Sequence, residues 1–98
     1  MTEYRRRFDE PAIHATCEDY RADASIDLIH HDAYADAVLT CPALVLWSKT
    51  GIGDAYDVPR IWSEGAPDLR AREFDCGHFL AEERPGETSA ELVAFIAE

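Results

Sequence analysis

The chain has 98 residues, 47% of them hydrophobic, and its 20 acidic side chains outweigh 9 Lys and Arg to give a net charge of −11. This length leaves room for one compact unit, and the apolar content is that of a globular protein rather than a disordered one. The negative charge repels phosphate backbones and anionic lipid surfaces, which argues against nucleic acid and membrane surfaces as partners.

The cysteines and the N-terminal sequence indicate a cytoplasmic protein. Cys17, Cys41 and Cys76 lack the CxxC spacing of a zinc or redox site, so we expect free thiols and no bound metal. The N-terminus has no apolar stretch typical of a signal peptide, and the longest apolar run, 43–47, is too short to cross a bilayer.

Residues 1–40 are polar and helical in pattern, and we expect two or three short helices. Pro11 suits a first helical turn, and Thr16 followed three residues later by Asp19 resembles a capping box. An apolar face follows at Ile26, Leu28 and Ile29.

A buried strand is predicted at residues 43–47, directly after Pro42. Every residue of this run is apolar, which is typical of a strand covered on both faces by helices. Gly51 and Gly53 then indicate a loop that leaves the C-terminal end of the strand.

A helix is predicted next, capped by Asp57, with Pro59 in its first turn and Pro67 ending it. Its inner face would carry Ile61, Trp62 and Ala66. Residues 70–74 form a second predicted strand, parallel to the first because the connection is long enough for a helical crossover.

His78 follows the second strand in a loop, where an imidazole that titrates near neutral pH could lean over a cleft and transfer protons. On the local sequence alone, a surface histidine, or one bonded to a backbone carbonyl, is the favoured interpretation. A last helix is predicted at 85–97, with one buried stripe of Leu92, Phe95 and Ile96. Because two parallel strands are rarely stable alone, we expect these strands to belong to a larger sheet.

The order of these elements, ending in Cys76-Gly77-His78-Phe79-Leu80 and a final helix, resembles the C-terminal end of an α/β-hydrolase. Segments 11–22, 26–28, 41–47 and 76–83 are similar to the haloacetate (fluoroacetate) dehalogenase branch of that superfamily, with Cys17-Glu18-Asp19-Tyr20-Arg21 the most specific block. The resemblance implies an α/β fold class and a partial hydrolase domain over 1–98. Residues 1–40 would be the end of the cap region and its return to the core, and 41–98 a terminal βαβα unit.

The resemblance also implies roles for two residues. In this branch an aspartate displaces halide from a small haloacid, and a histidine then activates the water that hydrolyses the resulting ester. His78 matches the histidine, and Tyr20 matches the tyrosine that donates a hydrogen bond to the departing halide. No cofactor is implied.

The nucleophile is missing from this sequence. A nucleophile elbow needs G-x-[DS]-x-G, whereas the chain offers only Gly51-Ile52-Gly53, so we expect a fragment that is inactive alone. Many α/β-hydrolases carry the acid of the catalytic triad at the position that Gly51 occupies here. The glycine agrees with the dehalogenase branch, in which the acid comes earlier in the chain. Asp54 is a weak substitute.

Two other functions fit the same sequence. An epoxide or ester hydrolase would also end in a histidine loop, and upstream sequence would separate the two. A non-catalytic acidic interaction module is the alternative outside the enzymes, and its open strand edge at 43–47 could pair with a second copy to give a homodimer.

Overall fold

The computed structural model describes residues 1–98, which form two units, Met1–Asp36 and Ala37–Glu98. The first unit is entirely helical, and the second contains both strands. None of the helices combines the length and the apolar content that a membrane-spanning segment needs.

Three helices make up the first unit: α1 (Thr2–Arg7), α2 (Glu10–Asp23) and α3 (Ile26–Ala33). Their number confirms the expected two or three. In α1, Glu3 forms ion pairs one turn along the helix with Arg6 and Arg7, and these two partners lower the pKa of the Glu3 carboxyl. None of the three helices contains a buried residue, so the apolar face at the start of α3 is uncovered.

Helix α2 begins earlier than the capping-box pattern predicts. The Asp9 side chain accepts a hydrogen bond from the Ala12 N–H at 3.0 Å, and Pro11 occupies the first turn as expected. Thr16 lies inside the helix, where its hydroxyl donates to the Ala12 carbonyl at 2.9 Å. The predicted capping box at Thr16 is therefore wrong, because Asp9, about two helical turns upstream, provides the cap.

The second unit is built on a parallel pair of strands, β1 (Ala43–Ser48) and β2 (Leu69–Phe74). The register runs from Ala43 opposite Leu69 to Ser48 opposite Phe74, and helix α4 (Val58–Ser63) lies between the strands in sequence. The predicted parallel crossover is confirmed. The sheet contains only these two strands, and residues 43–47 are half-buried rather than covered on both faces.

Helix α4 starts as predicted, since Asp57 accepts a hydrogen bond from the Arg60 N–H at 3.2 Å and Pro59 lies in the first turn. It ends at Ser63, before Pro67. The apolar core of the unit consists of three residues, Val58, Ala66 and Phe74. Ile61 and Trp62 are exposed instead of facing inward, because a two-stranded sheet covers only part of the helix surface.

Two helices follow β2, the short α5 (Leu80–Glu83) and the longer α6 (Pro85–Ile96). Arg72 of β2 pairs with Glu87 and Glu91 of α6, and Arg70 pairs with Glu98 just after it. Charged groups thus join the strand to the helix.

The apolar stripe on the last helix was predicted to be buried, and this prediction is wrong. Ile96 is 80% exposed and Leu92 is also exposed, whereas Phe95 is half-buried with the Arg70 guanidinium 5.8 Å from its ring centre. Leu92 and Ile96 are uncovered because the two-stranded unit provides no surface that packs over them.

Candidate functional site

His78 lies in a loop that leaves the C-terminal end of β2 and enters α5. The strand ends at Phe74, whose side chain is buried in the core, and so the loop starts from a fixed point. A second loop approaches it from β1, where the Thr50 N–H donates to the Cys76 carbonyl at 3.4 Å. The ends of two adjacent parallel strands therefore meet at this position, which is where α/β sheets usually carry their sites.

Two side chains, those of Glu83 at the end of α5 and of Arg84 after it, bind the backbone on both sides of Cys76. Glu83 accepts a hydrogen bond from the Gly77 N–H at 2.8 Å, and the Arg84 guanidinium donates to the Asp75 carbonyl at 2.9 Å. Charged groups make stronger hydrogen bonds than neutral ones, so these two contacts fix the loop beside His78.

His78 lies in the wall of an open cavity of about 270 Å³ at the C-terminal end of β1. Ser48 is the other polar residue in its wall. The remaining wall is apolar and comes from β1, the loop after it, α4 and α5: Val45, Leu46, Trp47, Ile52, Val58, Trp62 and Leu80. A small cavity with an apolar wall and few polar groups is the usual form of a small-molecule site.

The imidazole of His78 is exposed and packs edge to face against Phe79, with 5.0 Å between ring centres. Its ring is accessible to water and to a ligand in the cavity. An imidazole in that position can accept and return a proton.

The loop between β1 and α4 passes close to the sheet. A Cβ atom at Gly53 would lie 2.9 Å from the Ser48 carbonyl oxygen, so only glycine fits there without moving the backbone. Gly51 has φ +114, a conformation that side chains disfavour. Asp54 accepts a hydrogen bond from the Gly51 N–H at 3.3 Å, so its carboxylate serves its own loop in this structure.

Cys76 is half-buried next to the site. Burial raises the pKa of its thiol, and the neighbouring Glu83 carboxylate raises it further. All three cysteines are free, as predicted from their spacing. The chain has no cluster of three or more His, Cys, Asp or Glu side chains that could hold a metal ion.

Tyr20, the other predicted site residue, lies on α2 in the first unit, and 71% of its surface is exposed. Its phenol is accessible to solvent. Glu83 and the two cavity tryptophans, Trp47 and Trp62, were not predicted as site residues. Glu83 was not predicted because a glutamate six residues after a glycine belongs to no general motif. The tryptophans were not predicted because Trp is an ordinary core residue in a globular protein.

Comparison with known proteins agrees with this geometry. No protein-family profile matches the sequence. A fluoroacetate dehalogenase from Burkholderia sp. is 29% identical over 100 residues, a match that covers 100% of this chain and 33% of the relative. The chain thus spans about a third of the length of that enzyme.

Two solved structures have the same arrangement of elements. A candidate α/β-hydrolase from Nostoc sp. PCC 7120 is 49% identical with a TM-score of 0.82, over 89% of this chain and 31% of its own. A candidate acyltransferase from Salmonella enterica is 38% identical with a TM-score of 0.81, over 88% of this chain and 29% of its own. The chain has the fold of the C-terminal portion of an α/β-hydrolase and is similar in sequence to a fluoroacetate dehalogenase.

Proposed function

We propose that the chain supplies the general base of a hydrolase that removes halide from small haloacids such as haloacetates. His78 is the base. One observation carries the proposal: His78 lies in the wall of an apolar cavity at the C-terminal end of β1, in a chain similar along its whole length to a fluoroacetate dehalogenase.

The proposed reaction has two steps. An aspartate carboxylate attacks the carbon that bears the halogen, the carbon–halogen bond breaks, and halide leaves with the bonding electrons. His78 then takes one proton from water while the water oxygen adds to the ester carbonyl. The ester C–O bond breaks, the departing alkoxide takes the second proton of that water to give the hydroxyacid, the aspartate carboxylate is restored, and His78 releases its proton to solvent. The aspartate would come from sequence outside the present 98 residues, because no nucleophile elbow occurs within them.

Tyr20 would bind the leaving halide. Halide ions accept hydrogen bonds, and a phenol O–H is a strong neutral donor. An exposed phenol on α2 is available for this role. The chain by itself would then hold the base and one halide ligand.

Ester hydrolysis or acyl transfer is the second candidate function. The candidate acyltransferase from Salmonella enterica is 38% identical to this chain over the aligned part, compared with 29% for the dehalogenase. A histidine base after the last strand serves both chemistries, so only the nucleophile and the substrate differ.

A chimaera separates the two candidates. Replacing the matching third of the Burkholderia dehalogenase with this chain would restore an aspartate nucleophile next to His78. Release of halide from fluoroacetate and chloroacetate, with no hydrolysis of a chromogenic acetate ester, supports the dehalogenase function. A folded chimaera that hydrolyses the ester and releases no halide would contradict it.

A further inference from the structure

We propose that Glu83 is a positioning residue, whose carboxylate fixes the loop that carries His78. This inference rests on the proposed role of His78 as the base. The Glu83 Oε2 atom accepts the Gly77 N–H at 2.8 Å, and Gly77 immediately precedes His78 in the chain. A carboxylate bonded to the adjacent backbone N–H restricts the rotation of that peptide, and the direction of the imidazole depends on it.

Gly77 makes this contact possible because it has no side chain. A Cβ atom at position 77 would lie 2.7 Å from Oε1 and 3.3 Å from Oε2 of Glu83. The carboxylate therefore occupies the space that an alanine methyl group would need. Since the obstructing atoms are the end of a flexible side chain, a methyl group would displace the carboxylate and leave the backbone in place.

The geometry thus links two substitutions to one contact. Glu83→Ala removes the acceptor, and Gly77→Ala drives the acceptor away from the same N–H. If Glu83 acts only through Gly77, the second substitution changes little once the first is present. Arg84 holds the Asp75 carbonyl at 2.9 Å and gives the loop a second attachment, so the rest of the loop stays ordered in both variants.

Nuclear magnetic resonance on the 98-residue chain tests the contact between Glu83 and Gly77, and the measurement needs no enzymatic activity. In the unsubstituted chain the Gly77 amide should be protected from hydrogen exchange. Glu83→Ala should speed its exchange by about tenfold or more, because a hydrogen bond to a charged acceptor is lost. The His78 ring resonances should shift or broaden in the same variant.

Two further variants distinguish positioning from general destabilisation. Glu83→Gln keeps an oxygen acceptor and should retain most of the protection of Gly77. Glu64→Ala removes a carboxylate elsewhere in the second unit, where Glu64 directly follows α4 and pairs with Arg60, and should leave Gly77 and His78 unchanged. Adding Gly77→Ala to Glu83→Ala should cause no further change at the His78 ring.

The inference is overturned if the Gly77 amide of the unsubstituted chain exchanges as fast as an unprotected amide. It is also overturned if Glu83→Ala leaves both the Gly77 amide and the His78 ring unchanged. Failure of the proposed dehalogenase function would give a different result. The chimaera would release no halide, and its Gly77 amide would still be protected from exchange.

Discussion

The indole N–H of Trp47 donates a hydrogen bond to Oε2 of Glu73 at 3.1 Å, and the two residues are opposite each other in the register of β1 and β2. Trp47 also forms part of the cavity wall beside His78. The contact therefore joins the two strands at the end where the candidate site lies.

Trp47→Phe should lower the free energy of unfolding by about 0.5–1.5 kcal/mol, the usual net value of one hydrogen bond, plus a smaller loss of apolar contact. Glu73→Gln is the matched control, since its amide oxygen still accepts the indole N–H. Urea denaturation followed by circular dichroism measures both. Equal stability of Trp47→Phe and the unsubstituted chain would show that the contact contributes nothing.

Phe74 should be indispensable for the second unit. It is 2% exposed and belongs to a core of three apolar residues, and truncation of a buried Phe costs about 3–5 kcal/mol. Because the core is this small, Phe74→Ala should abolish even the broad melting transition expected of the unsubstituted chain. Phe79→Ala is the matched control because Phe79 is 64% exposed and should change stability by about 0.5 kcal/mol or less.

The unsubstituted chain should bind a dye that fluoresces on exposed apolar surface, and should melt broadly. Exposed residues such as Leu92, Val93 and Ile96 on α6 provide that surface. A sharp cooperative transition above about 60 °C, beyond the usual range of mesophile domains, would contradict the view that this sheet needs further strands.

Cys76 should react more slowly with iodoacetamide than Cys17 and Cys41. The thiolate is the reactive form, and burial together with nearby carboxylates raises the pKa of the Cys76 thiol, whereas the other two cysteines are exposed. Mass spectrometry of peptides after partial alkylation at neutral pH measures the three rates in one sample. Faster labelling of Cys76 would mean that its loop opens more readily than the structure indicates.

Tyr20→Phe, placed in the chimaera with the Burkholderia dehalogenase, should slow fluoroacetate turnover by about tenfold or more, since one donor to a charged partner contributes about 1.5–3 kcal/mol. Chloroacetate should be affected less, because fluoride concentrates its charge and depends more on hydrogen-bond donors. Equal losses for the two substrates would assign Tyr20 a structural role and withdraw the halide-binding one.

Local signals predicted the elements of this fold well. Pro42 and the apolar run after it marked β1, and Asp57 with Pro59 marked the start of α4, because caps and proline act on their immediate neighbours. Burial was predicted poorly. Trp62 and Ile96 are apolar and correctly spaced, yet they are exposed because their burial depends on surfaces that a two-stranded sheet does not provide.

The candidate site was also predicted only in part. His78 was identified from its place after a strand and from a family resemblance, and both are visible in the sequence. The Glu83 contact with Gly77 was missed, because it depends on how α5 turns back onto the loop. A contact of that kind follows from the path of the backbone rather than from any spacing of residue types.

The role of His78 is tested most directly by trapping the ester intermediate. His78→Asn in the chimaera removes the base that the second step needs and leaves the first step intact. Mass spectrometry should then find the haloacetate carbon attached to the nucleophilic aspartate, with one halide released per enzyme molecule. Continued catalytic release of halide at the rate of the unsubstituted chimaera, with no adduct, would show that His78 is not the base.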